Sequence, residues 1–247
     1  MKIIFTLLLS SLAFSVFAKN QPAKLKIKEI DKDVYLHTSF KQVEGYGLVD
    51  SNGLIVIDEN QAFIIDTPWS KHDTKVLINW IEKQGYELKA SISTHSHDDR
   101  SAGIGILNSK SIPTFTSKLT HEFLVKDSKP TATNIFDKDE FSLKKGHIEV
   151  FYPGAGHTED NLVVWLPKTG ILFGGCLVRS LDWSSLGYIG DASVDSWSNS
   201  IASIKSKYAD IKMVVPGHGK IGNKQILEHT INLADAAVNK SRDAQTP

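Results

Sequence analysis

The chain has 247 residues, with 28 basic and 28 acidic side chains and a formal net charge of zero. That balance leaves no basic footprint for nucleic acid and no charged tail for a polyelectrolyte partner. Composition is ordinary for a globular protein, without low-complexity runs, and with a single cysteine no internal disulfide can form.

The first residues read as an export signal. Lys2 gives a short basic start, Ile3 to Phe17 is apolar with a few serines, and Val16-Phe17-Ala18 offers small residues for a cut after Ala18. The segment is too short to span a bilayer. Residues 1–18 are therefore expected to be a signal peptide, and residues 19–247 a single domain, periplasmic and free of the membrane.

Lys24 to Gly53 reads as strands and turns, with a polar hairpin tip at Ser39 to Gly45. Leu54 to Ile57 and Ala62 to Ile65 are continuous apolar runs, which suit a hairpin buried on both faces. Ser70 with Asp73 resembles a capping box, Val76, Leu77, Trp80 and Ile81 make one helical stripe, and Gly85 stops the helix. Lys89 to Ser93 predicts a strand that runs into Thr94-His95-Ser96-His97-Asp98-Asp99, with a helix over Ser101 to Asn108. A strand end leading into a helix is where α/β folds place ligand sites.

A similar order follows. Leu119 to Val125 predicts a helix, and Ile148 to Tyr152 an alternating strand that ends at the turn carrying His157. Leu162 to Leu166 and Ile171 to Phe173 predict a buried hairpin, after which comes Cys176. Val194 to Tyr208 predicts a helix, Met213 to Val215 a strand ending at Pro216-Gly217-His218, and Ile226 to Val238 an amphipathic helix. Both halves give a strand pair, a helix, and a strand ending in ligand-type residues. That order predicts two similar α/β halves with the site along one edge of the sheets.

A lone thiol in an exported protein is buried and inert, paired with another chain, or bound to metal. Its surroundings favour metal. His95 and His97, two apart on an extended segment, point the same way and can share an ion, and His157 and His218 sit in glycine turns. With Asp99 and Cys176 they supply the nitrogen, oxygen and sulfur donors that zinc accepts, enough for two sets of three. The other histidines, His37, His72, His121, His147 and His229, read as structural or solvated.

Thr94 to Arg100, Pro153 to Asn161, Phe173 to Cys176 and Pro216 to Gly219 together resemble the metallo-β-lactamases of subclass B1, nearest their IMP-like branch. The resemblance runs over nearly the whole mature chain. It implies a four-layer αβ/βα sandwich with two Zn²⁺ at one edge. His95, His97 and His157 would hold the first zinc, and Asp99, Cys176 and His218 the second. The implied activity is hydrolysis of the β-lactam amide of penicillins, cephalosporins and carbapenems by a metal-bound hydroxide, conferring resistance. Asp99 would also orient the hydroxide, and no acyl-enzyme would form. Thioester hydrolases, lactonases and nucleases on this fold usually carry His where Arg100 stands and Asp where Cys176 stands. The resemblance further implies that Arg179 grips the substrate carboxylate, Tyr46 closes over substrate, and Tyr188 replaces a frequent Asn. Asp66 and Arg100 would support the ligands from behind, while Trp183 lies in an insertion-like stretch that could line the pocket. The partner expected is a small-molecule β-lactam, and the protein is expected to be a monomer.

Overall fold

The computed structural model describes residues 23–243; the expected signal peptide lies outside the described residues. Seven strands form the first sheet, in the order β1 (Lys26–Asp31), β2 (Val34–Val43), β3 (Gly47–Asp58), β4 (Gln61–Ile65), β5 (Glu87–Ile92), β6 (Thr114–Ser117) and β7 (Asn134–Phe136). The second sheet lists, edge to edge, β12 (Met213–Pro216), β11 (Ile171–Gly175), β10 (Val163–Leu166), β9 (Ile148–Phe151) and β8 (Glu140–Lys144).

Six helices complete the described residues: α1 (Lys71–Lys83), α2 (Asp98–Ser101), α3 (Ile104–Ser109), α4 (Lys118–Lys126), α5 (Val194–Lys207) and α6 (Gln225–Asp243). The sheets pack face to face through Leu54, Val56, Phe63 and Ile65 on one side and Val150, Val164, Phe173 and Val215 on the other. The outer face of the first sheet buries Ile55, Ile57 and Ile64 against Leu77, Ile78 and Ile81 of α1 and Leu107 of α3. The outer face of the second buries Val163, Leu172 and Val214 against Trp197, Ile201 and Ile204 of α5 and Ile226 and Leu227 of α6. Helix, sheet, sheet, helix is the four-layer sandwich expected. Strands covered on both faces carry continuous apolar runs, because no face is left for water.

Several elements differ from the sequence reading. The polar stretch from Ser39 is mostly strand: β2 and β3 pair in register from Val34↔Val56 to Val43↔Gly47, leaving a short turn at 44–46. Strand pairing satisfies the backbone of that ribbon although its outer residues are exposed. In α1 the buried stripe is Thr74, Leu77, Ile78 and Ile81, while Val76 is exposed. Ser70 caps this helix by accepting a hydrogen bond from Asp73 N at 3.0 Å. The helix expected over Ser101 to Asn108 is two pieces, α2 and α3. No helix among the described residues is long and apolar enough to cross a membrane.

Candidate metal centre

One loop of the first sheet and three of the second converge on a single place. His95 follows β5, His97 precedes α2, and Asp99 sits in the first turn of α2. His157 lies in the turn between β9 and β10, Cys176 directly follows β11, and His218 follows β12.

Two donor sets result. The ligand atoms of His95, His97 and His157 lie within 4.8 Å of one another. Their rings meet edge to face, with centroids 4.8, 5.0 and 5.2 Å apart. Both ring nitrogens of His95 and Nδ1 of His157 are buried without a hydrogen-bond partner among the described residues. Burial, reinforced by the charge of neighbouring His97, holds His95 and His157 well below the ordinary imidazole range. Both are therefore neutral, as metal ligands must be.

The second set is tighter. Cys176 Sγ lies 3.2 Å from Asp99 Oδ2 and 3.2 Å from His218 Nε2, and His218 Nε2 lies 3.1 Å from Asp99 Oδ2. His218 Nδ1 faces the carbonyl oxygen of Asp50, which only accepts, so Nδ1 carries a proton and Nε2 is the ring atom turned towards Asp99 and Cys176. A ring nitrogen, a carboxylate and a sulfur thus share one small volume. A cation answers that arrangement, and donors of nitrogen, oxygen and sulfur suit zinc. Burial pushes the Cys176 thiol well above its usual value, partly offset by Arg100. Burial also works against ionised Asp99, but Arg100 and His218 more than offset it and hold this carboxyl well below the usual carboxylate range.

Arg100 carries the centre from beneath. It is fully buried. Nε and Nη2 reach Asp99 Oδ2 at 3.0 and 2.9 Å, Nη1 reaches Asp66 Oδ2 at 3.3 Å and the carbonyl of Asn52, and Nη2 donates to Gly217 O at 2.8 Å. A Cβ on Gly217 would stand 2.8 Å from Cys176 Sγ and from Arg100 Nη2, so this close approach requires glycine. Asp66 is fully buried at φ +60° and takes Thr94 N at 2.6 Å and Thr94 Oγ1 at 2.8 Å. Burial pushes its carboxyl up to about 7 against the opposing pull of Arg100.

A cavity of about 140 Å³ opens above the metal-type residues, lined by Tyr46, Trp69, His157, Arg179, Trp183, Tyr188 and His218 among others. Tyr46 and Tyr188 are each 51% exposed and form its rim. Arg179 is buried at its edge, with its guanidinium carbon 5.0 Å from the Trp183 ring centroid and Nε unpartnered among the described residues.

The chain belongs to the metallo-β-lactamase superfamily. The model of that family matches residues 46–218. A metallo-β-lactamase type 2 of Pseudomonas aeruginosa is 44% identical over 223 residues, which is 90% of this chain and 89% of that protein. One of Bacteroides fragilis is 32% identical over 98% of this chain and 99% of its own length. Among solved structures, the metallo-β-lactamase DIM-1 exposed to ceftazidime superposes with a TM-score of 0.87 at 51% identity, covering 88% of this chain and all of that one. TMB-1 gives 0.86 at 55% identity, with 87% and 99% covered.

Some site residues carry no motif signal of their own. Asp191 accepts from His97 Nε2 at 3.1 Å. Asn52 Nδ2 donates to Pro216 O at 3.1 Å and to Gly219 O at 2.8 Å, so β3 holds the His218 loop. Membership of this family implies divalent metal, typically zinc, and the triad of histidines, two of them buried, is in place for it.

Proposed function

We propose that this chain is an exported, zinc-dependent β-lactamase of subclass B1 that opens the lactam amide of penicillins, cephalosporins and carbapenems. The observation that carries this reading is the pair of adjacent donor sets, one of three histidines and one built on Asp99, Cys176 and His218. We assign one zinc to each. Zinc held there supplies Lewis acidity and a hydrolytic water that ionises near neutral pH.

The protein's own groups then have distinct tasks. Asp99 spends Oδ2 on Arg100, Cys176 and His218, which leaves Oδ1 to orient the reacting water. Arg100 offsets the charge of Asp99 and the Cys176 thiolate without occupying the cavity. Arg179, buried against Trp183 and without an ion pair among the described residues, presents its guanidinium to the substrate carboxylate, where reduced solvation strengthens the ion pair. Tyr46 and Tyr188 wall the mouth and exclude water; a phenol at position 188 cannot copy an amide donor, so stabilising the lactam oxyanion falls mainly to the metal side. The protein acts as a periplasmic monomer after cleavage at Ala18.

Cys176 and Arg100 favour this activity over a thioesterase or lactonase on the same fold, as does the likeness to enzymes named β-lactamases. Purified protein offered a chromogenic cephalosporin, a thioester and a lactone separates the two. Rapid turnover of the cephalosporin alone is expected; turnover of the thioester or lactone alone overturns the reading.

A further inference from the structure

Unlike His97 and His218, His95 has no partner that aims its ring, and His157 shares this lack at Nδ1 among the described residues. A ligand imidazole is normally aimed by the bond its second nitrogen makes to a carboxylate or carbonyl. His97 has Asp191 for this, and His218 has the Asp50 carbonyl. Neither nitrogen of His95 has such a partner among the described residues. Its direction must therefore come from its backbone and from the rings packed on it.

The backbone is gripped on both sides. Thr94 N, before His95, donates to Asp66 Oδ1 at 2.6 Å. Ser96 N, after it, donates to Asp160 Oδ2 at 2.9 Å. Asp66 follows β4 in the first half of the sandwich, whereas Asp160 stands in the β9–β10 turn of the second. Leu162 N donates to Thr94 O at 2.9 Å and adds a backbone tie across the same boundary. Asp160 is 1% exposed and, among the described residues, no lysine or arginine forms an ion pair with it. Burying a carboxylate costs free energy unless it is used, and the uses visible here are the amide between two metal-type histidines and the Thr120 and Thr158 hydroxyls that face it.

We propose that Asp160 is a positioning residue for the three-histidine set: by holding Ser96 N–H from the opposite half, it fixes the direction of His95 and His97 relative to His157. This rests on the metal reading above. The residue does not line the cavity above the metal-type residues, and none of its hydrogen bonds goes to a metal donor atom. Removing it should loosen one donor set and leave the Cys176 set, built on Arg100 and Asn52, as it was.

Cobalt(II) titration of the metal-free protein, against a competing chelator, reads the two sets separately. The thiolate-to-cobalt charge-transfer band reports the Cys176 set, and the remaining ligand-field absorption reports the histidine set. In Asp160→Ala the histidine set should need about tenfold more cobalt or beyond, with the thiolate band titrating as in wild type. Asp160→Asn keeps an oxygen for Ser96 N–H and can offer its amide hydrogens to the Thr120 and Thr158 hydroxyls that face it, so it should stay close to wild type. Wild-type uptake at both sets in Asp160→Ala, equal weakening of both sets, or an Asp160→Asn no better than Asp160→Ala would each overturn the proposal. If wild type takes up no cobalt, the metal reading falls and this proposal with it.

Discussion

Arg100 lies directly beneath Asp99, with Nη2 2.9 Å and Nε 3.0 Å from the same carboxylate oxygen and no solvent access to its own side chain. The remaining donors of the guanidinium go to Asp66, Asn52 and Gly217. One side chain thus joins β3, the end of β4, the α2 turn and the His218 loop. Removing it takes the buried cation from two buried carboxylates and one donor each from two carbonyls. Arg100→Ala should destabilise the fold by about 3–5 kcal/mol, the usual cost of breaking a buried pair. Arg100→Lys, which cannot reproduce the planar fork, should recover only part of that. Urea unfolding midpoints of the three proteins measure it.

Cys176→Ser exchanges a soft thiolate for a hydroxyl that binds zinc poorly. The variant should keep zinc at the histidine set and lose it at the second. At limiting zinc, hydrolysis should fall by at least about tenfold, the scale of a metal-site lesion. Metal content after dialysis, set beside turnover at graded zinc, checks both parts.

Arg179→Ala should raise KM for carboxylate-bearing β-lactams far more than it lowers kcat. A charge-assisted hydrogen bond contributes about 1.5–3 kcal/mol, so the rise should be about 10- to 100-fold. Steady-state kinetics on one penicillin and one cephalosporin gives the split.

His37 sets a pH dependence of stability. It is fully buried, its Nε2 lies 2.9 Å from Asp66 O, and burial, with a smaller push from Arg100, lowers its pKa from 6.5 to about 3. A group whose folded pKa is depressed contributes stability that is complete above pH 6.5 and is lost as pH falls toward 3, because the unfolded chain binds the proton first. At pH 5 that loss is about 2 kcal/mol. His37→Gln should therefore narrow its stability deficit against wild type by about that amount between pH 7 and pH 5. Guanidinium unfolding of both proteins at the two pH values gives the difference, free of contributions from Asp66 that both share.

Much of the layer order is visible in the sequence, because strands covered on both faces must be continuously apolar and the helices beside them must be striped. The strands β6, β7 and β8 are not. Thr114–Ser117 and Asn134–Phe136 are short, partly polar, and are held by parallel neighbours far along the chain. The bend between α2 and α3 falls at Gly103, the α3 N-cap, but a glycine within a helical run is a weak signal by itself.

At the site, the histidines, Asp99 and Cys176 stand out because metal chemistry narrows the residue types. Arg100 and Asp66 were drawn from the family pattern. Asp191 and Asp50 were invisible, since nothing local distinguishes an aspartate or a carbonyl that meets an imidazole 94 or 168 residues away. Asp160 lay inside a recognised motif, yet its partner, the Ser96 amide, appears only once the two halves meet.

The central claim is that lactam hydrolysis runs on metal held by these two sets. Hydrolysis of a chromogenic cephalosporin by the purified protein, before and after EDTA and again after zinc is returned, tests it most directly. The account predicts rapid turnover, its loss with the metal, and recovery on adding zinc; turnover that persists in verified metal-free protein would contradict it.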